Sequence, residues 1–231
     1  MKYSTIVVST IFLMMVSVLS VNAQWTFPKD CDPEAVSATA AAAEAKTSQA
    51  ACGFGSAFFH RKDIEELKRM SKCVGLRFYI ASERADQRYA DVIAVAINAN
   101  GKEIGLFLER KYHLAKSLDA HFPHQFEKMD KYKAKSKVAL LTKGSLALEP
   151  YVGYIGVDRV NALLSDNTAD GIRIYPAMYQ KDGKEYRTMS FGAARLNGKA
   201  VNDTELDYLE GRLPCPVDCG GDGDKNYLWN K

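Results

Sequence analysis

The sequence predicts an α+β protein made of two tandem repeats, each an amphipathic helix followed by a two-stranded antiparallel unit, packed into one core. Three observations predict this. The stretch Gly75-Leu76-Arg77-Phe78-Tyr79-Ile80-Ala81 recurs as Gly171-Ile172-Arg173-Ile174-Tyr175-Pro176-Ala177, with glycine, arginine, tyrosine and alanine in register. The order helix, Gly-x-Arg-x-Tyr strand, second strand and Asn-Gly-Lys turn runs through both copies over about fifty residues, which marks an internal repeat. In each copy the apolar spacing changes from three or four residues to two, the change from helix to strand.

The elements follow in order. Residues 1–23 read as a secretory signal peptide: a basic start at Lys2, an apolar run from Ile6 to Val21, and the small-x-small site Val21-Asn22-Ala23. Residues 24–53 hold an alanine-rich helix over Glu34–Ala51, with Asp32 and Pro33 at its start and Gly53 and Gly55 at its stop. Repeat 1 occupies 54–125. Ile64, Leu67 and Met70 line one face of a helix over Arg61–Met70, and Cys73-Val74-Gly75 breaks it. Leu76, Phe78 and Ile80 then alternate with Arg77 and Tyr79 as a strand. Asp91–Asn98 is apolar on both faces and predicts a well-covered strand, closed by a turn at Asn98–Gly101. Ile104–Leu108 predicts another short strand, and Tyr112–Ala120 a helix.

Residues 126–213 hold a basic helix over Phe126–Leu141 and then repeat 2. Val157–Leu164 matches the first amphipathic helix, Gly171–Ala177 the first strand, Tyr179–Lys184 the connection and Tyr186–Leu196 the second strand. The offset between copies is 96 through Ala81/Ala177 and 97 at the Asn-Gly-Lys turns, so one residue is added in the connection. Asn202–Gly211 predicts a short helix, and 214–231 is a tail rich in proline, cysteine and glycine.

Cys73-Val74-Gly75-Leu76-Arg77-Phe78-Tyr79, Asn100-Gly101 and Pro214-Cys215-Pro216 resemble the corresponding pieces of a family of small bacterial proteins without an assigned activity. Those share the amphipathic helix, the Gly-x-Arg-x-Tyr strand, the Asn-Gly turn and a Pro-Cys-Pro tail. The resemblance covers about half of the chain after the signal peptide and implies a shared fold and no particular chemistry; the cysteine spacing of the tail departs from the pattern.

Formal charge is +3 for 231 residues and +2 once Lys2 is removed, a balance that predicts no nucleic acid partner. Arg77, Tyr79, Arg173 and Tyr175 are the ligand-binding candidates. Arginine offers a rigid fork for a carboxylate or phosphate, and tyrosine a hydroxyl and a stacking face. The alternative role is structural, with each arginine crossing to a nearby carboxylate. Cys215 and Cys219 suit a local disulfide or a constrained turn; no second cysteine pair stands at zinc spacing, and Pro123 spoils the face shared by His121 and His124. Cys52 with His60 is a nucleophile–base pair only in sequence. Gly53-Phe54-Gly55-Ser56 lacks the ending of a phosphate loop, and Asp222, Asp224 and Asn226 lack the glycine and the length of a calcium loop. Lys128, Lys131, Lys133, Lys135 and Lys137 form a basic cluster that reads as a solvated face.

The expected function is therefore an exported, non-enzymatic binding or structural module. It needs no cofactor and no catalytic or metal-binding residues, has no membrane span after signal cleavage, and has a protein or cell-envelope partner. The alternative is a small hydrolase or transferase using the repeated Arg/Tyr face with Asp91 or Glu83 as its carboxylate.

Overall fold

The structure, a computed structural model, describes residues 34–36, 57–85, 91–110, 126–140, 152–181, 183–196, 201 and 208–210. Its elements are β1 (Glu34–Val36), β2 (Ala57–His60), α1 (Arg61–Lys68), β3 (Cys73–Ala81), β4 (Asp91–Asn98), β5 (Glu103–Arg110) and β6 (Phe126–Met129). There follow α2 (Lys131–Leu140), β7 (Val152–Gly156), α3 (Val157–Leu163), β8 (Gly171–Lys181), β9 (Lys184–Ala194) and β10 (Tyr208–Glu210). The fold is α+β, with two antiparallel five-stranded sheets of order β1-β10-β9-β8-β2 and β6-β5-β4-β3-β7.

Each sheet borrows strands. β2 and α1 are continuous in sequence with β3, yet β2 pairs with β8 of the other sheet. In return β7 precedes β8 in sequence but pairs with β3. The two pairings correspond position by position: Leu76 faces Ile155 as Ile172 faces Phe59, and Arg77 faces Tyr154 as Arg173 faces Phe58. The hairpins correspond too. Gly75 and Ala81 face Ile97 and Asp91, as Gly171 and Ala177 face Ala194 and Thr188. The first strands of the two hairpins are 96 residues apart at these positions and the second strands 97.

Gly75, expected with Cys73-Val74 to break the helix, lies inside β3, and both motif glycines have a packing role. A Cβ on Gly75 would stand 2.1 Å from Tyr154 Oη. A Cβ on Gly171 would stand 2.1 Å from the Phe59 carbonyl oxygen and 2.7 Å from Phe58 Cζ. In both sheets an aromatic ring on the borrowed strand covers the glycine diagonal to it, a contact open only to a residue without a side chain.

One core lies between the sheets. Phe59, Ile64, Leu67, Leu76, Phe78, Val92, Ile155, Val160, Leu163, Ile172, Ile174 and Phe191 belong to a single buried cluster. Phe78 is its hinge of contact, with ring centroids 5.5 Å from Phe59 and 5.2 Å from Phe191. A second cluster lies on the far face of the β3-containing sheet, where Ile93, Val95, Ile97, Phe107, Val152 and Tyr154 meet Ala134 and Val138 of α2. β4 thus has both faces covered, as its unbroken apolar run requires. Arg61, at the start of α1, ties the two parts of the chain: its guanidinium donates to the carbonyls of Leu164 (2.7 Å), Asp166 (2.7 Å) and Ala169 (3.0 and 2.7 Å).

Four expectations need correction. Glu34–Val36, the expected beginning of the alanine-rich helix, is a strand paired with β10; alanine's helix preference is a weak term that a ladder of backbone hydrogen bonds overrides. Phe126–Met129 is a strand paired with β5, and the helix begins only at Lys131. Asp130 sets that start, its carboxylate accepting from the Lys133 amide at 2.8 Å. The connection expected at Tyr179–Lys184 is paired strand up to Lys181↔Lys184; Gly183, with φ of 72°, permits the two-residue turn. Tyr208–Glu210, expected within a helix, is a strand between β1 and β9. The expected signal peptide, the remainder of the alanine-rich helix, the helix over Tyr112–Ala120 and the tail lie outside the described residues.

Candidate functional site

β3 alternates, so the face that sends Leu76, Phe78 and Ile80 into the central core sends Arg77 and Tyr79 to the opposite side. Both are buried there, Arg77 at 1% and Tyr79 at 0% exposure. Arg77 donates to the Gly101 carbonyl at 3.1 Å and lies 3.7 Å from Glu103 Oε1. The Tyr79 hydroxyl donates to the same carboxylate oxygen. The Lys131 ammonium, at the start of α2, forms an ion pair with the other oxygen, Oε2, at 2.7 Å. Burial pushes the Tyr79 phenol well above its ordinary range, and the Glu103 carboxylate adds to the rise while Arg77 opposes it. Glu103 is therefore the centre of a buried network that sequence reasoning missed. Its signal is topological: Glu103 faces Ile97, which faces Gly75, so the carboxylate lies two strands from Arg77 on the same face.

Arg173 and Tyr175 occupy the corresponding positions on β8. Ile172 and Ile174 enter the central core, so Arg173 and Tyr175 project from the far side of the other sheet. The Arg173 guanidinium lies over the Tyr175 ring, 5.3 Å from its centroid. The two Arg–Tyr faces thus point away from each other with the core between them and do not meet in one groove. Ser190, directly opposite Tyr175, is fully buried, and its hydroxyl has no hydrogen-bond partner among the described residues. His60 is the buried last residue of β2; Cys52 lies outside the described residues.

The second polar cluster surrounds Lys137. Its ammonium bonds Glu109 Oε2 at 2.6 Å and Glu83 Oε1 at 2.6 Å. Glu109 is fully buried on β5, and burial pushes its carboxyl up, with Asp91 and Glu83 adding to the rise and Lys137 opposing it. Burial works to lower the Lys137 ammonium, but its bonds to Glu109 and Glu83 prevail and raise it. Carboxylate oxygens of Glu83, Glu109 and Glu127 lie within 4.8 Å of one another, close enough to hold a metal ion. Lysines already supply positive charge there, with Lys137 on two of these acids and Lys133 on the third. The two carboxylates considered for an enzyme, Asp91 and Glu83, belong to this cluster.

Of the basic cluster, Lys128, Lys131, Lys133 and Lys135 are exposed, as expected of a solvated face, and Lys137 is buried. Lys128 bonds Glu66, Lys131 Glu103, Lys133 Glu127 and Lys137 Glu83 and Glu109. Lys137 is buried against the sheet, so α2 does not divide into a basic face and an apolar one. Cys73 is a free thiol, pushed up by burial; Cys215 and Cys219 lie outside the described residues. Among the described residues no helix is long and apolar enough to cross a membrane. Comparison with protein-family models, curated proteins and solved structures finds no match to this chain.

Proposed function

We propose that the protein is an exported, non-enzymatic binding or structural module, built by duplication of a strand–helix–strand–strand unit. One observation carries this reading: Arg77 and Tyr79, the groups that the sequence singles out for chemistry, are buried and bonded to Glu103 and the Gly101 carbonyl. They hold strands and helix together, as repeat-defining residues do in proteins built from copies of one unit. The matching registers of the two borrowed strands and the two hairpins support the duplication. Export rests on the basic start, apolar run and Val21-Asn22-Ala23 site. The partner class is a protein or a cell-envelope component.

The test uses the full chain as bait in the exported fraction of the cell that makes it. Retention of a protein or glycan that a Tyr79→Phe, Arg77→Met variant also retains supports a binding module whose Arg–Tyr face is structural. Absence of the chain from the exported fraction, or turnover of ester, phosphate or glycoside substrates lost in that variant while it stays folded, overturns the reading.

A further inference from the structure

Neither sheet is made by one half of the chain. Residues 34–140 contribute β3 to β6 to one sheet and both edge strands, β1 and β2, to the other. Residues 152–210 return β7. The shared core draws Phe59, Ile64, Leu67, Leu76 and Phe78 from the first half and Ile155, Val160, Ile172, Ile174 and Phe191 from the second. Arg61 adds its bonds to the carbonyls of Leu164, Asp166 and Ala169. A first half by itself would leave the β3 edge open and the core face in water, and a second half would leave β8 without β2. Each half therefore completes its fold only on a complementary half.

We propose that a second copy of this chain can supply that complement, so that two chains exchange halves. Residues 34–140 of one copy then close on residues 152–210 of the other, and the reverse, giving a dimer of two units with the pairings β2–β8, β3–β7 and β1–β10 intact. Every contact between halves is kept, so exchange sets the entropy of association against no loss of contacts, and concentration during folding decides the outcome. The partner is specific because of what the borrowed strands must fit. A strand docking on β3 places an aromatic ring over Gly75, and a strand docking on β8 places one over Gly171.

Two full-length chains with different affinity tags are unfolded together, refolded at high and at low concentration, and captured through one tag. Co-refolding at high concentration is expected to give dimers of which about half carry both tags, and low concentration monomers. Recovery of the second tag after merely mixing the two native proteins shows association of intact surfaces and overturns exchange. Monomers at every refolding concentration overturn it too. A second arm pairs a Gly75→Val chain with a Gly171→Val chain. Exchange concentrates both lesions in one unit and leaves the other free of them. In the mixed-tag dimers, co-refolding then restores about half of the native near-ultraviolet circular dichroism that either variant loses alone. Mixed-tag dimers without that recovery count against exchange.

Discussion

The ring of Tyr154 lies over Gly75, so near that a Cβ there would stand 2.1 Å from the tyrosine oxygen. The same relationship holds between Phe58 and Gly171, where the backbone of Phe59 closes the space as well. A ring can tilt away and a paired strand cannot. Gly75→Ala is expected to cost about 1–3 kcal/mol, and Gly171→Ala more, in urea unfolding. Tyr154→Leu should recover part of the loss in Gly75→Ala, because it removes the atoms the new methyl meets. Equal losses at both glycines would show that the Phe59 backbone adds nothing to the cost of the covering ring.

Arg61 gathers three carbonyls of the segment between α3 and β8 with one guanidinium. Arg61→Ala removes the charge-assisted donors and is expected to lower stability by about 2–4 kcal/mol. Arg61→Lys should recover less than half, since a single ammonium cannot span the three oxygens. Denaturant midpoints of the three proteins check this.

Lys137 is the close positive partner of the fully buried Glu109. Lys137→Met leaves that carboxylate uncompensated and is expected to cost about 3–5 kcal/mol near neutral pH. Burial already raises the Glu109 carboxyl, and losing Lys137 removes the influence that opposes the rise. The folded variant then holds a proton more tightly than the unfolded chain, so its deficit shrinks as pH falls toward the ordinary glutamate range. Unfolding at pH 7.5 and pH 5 measures the change; a deficit that grows on acidification contradicts it.

The alkaline side has the same sign from two groups. Tyr79 and Lys137 both titrate higher in the folded protein than in the unfolded chain. Their contributions are complete below the unfolded values, near ~10 for tyrosine and lysine, and are lost as pH rises through the folded ones. Stability is therefore expected to fall steeply above about pH 10. Glu103→Gln removes one cause of the Tyr79 rise and should make that fall shallower. It also removes the charge facing Arg77, lowering stability at pH 7 by roughly 2–4 kcal/mol.

What was legible in the sequence depended on how local its cause was. α1 showed in the spacing of Ile64 and Leu67, and β4 in its apolar run, because burial on one stripe or on two faces writes itself into neighbouring residues. The strand exchange was not legible: Phe58-Phe59-His60 looks the same whether it pairs with β3 or β8. Glu103 was missed for a similar reason, since its bond to Tyr79 joins residues on β5 and β3, two strands apart in the sheet. The solvated face expected of the five lysines holds for Lys128, Lys131, Lys133 and Lys135, which are exposed, and fails at Lys137, which turns inward to acids from β5 and the segment after β3. Long-range charge pairing leaves no local period to read.

The borrowed strands also order events in time. β2 has no edge to bond until β8 exists, and Arg61 reaches its Ala169 carbonyl across 108 residues of chain. Non-local closure of this kind raises the loop entropy to be overcome before contacts reward it, and it slows folding. A chain emerging from the ribosome thus stays open until residues near 175 appear, with its earliest described strands still waiting. If the chain is exported as proposed above, late closure keeps it passable through a narrow translocation channel until most of it has been made.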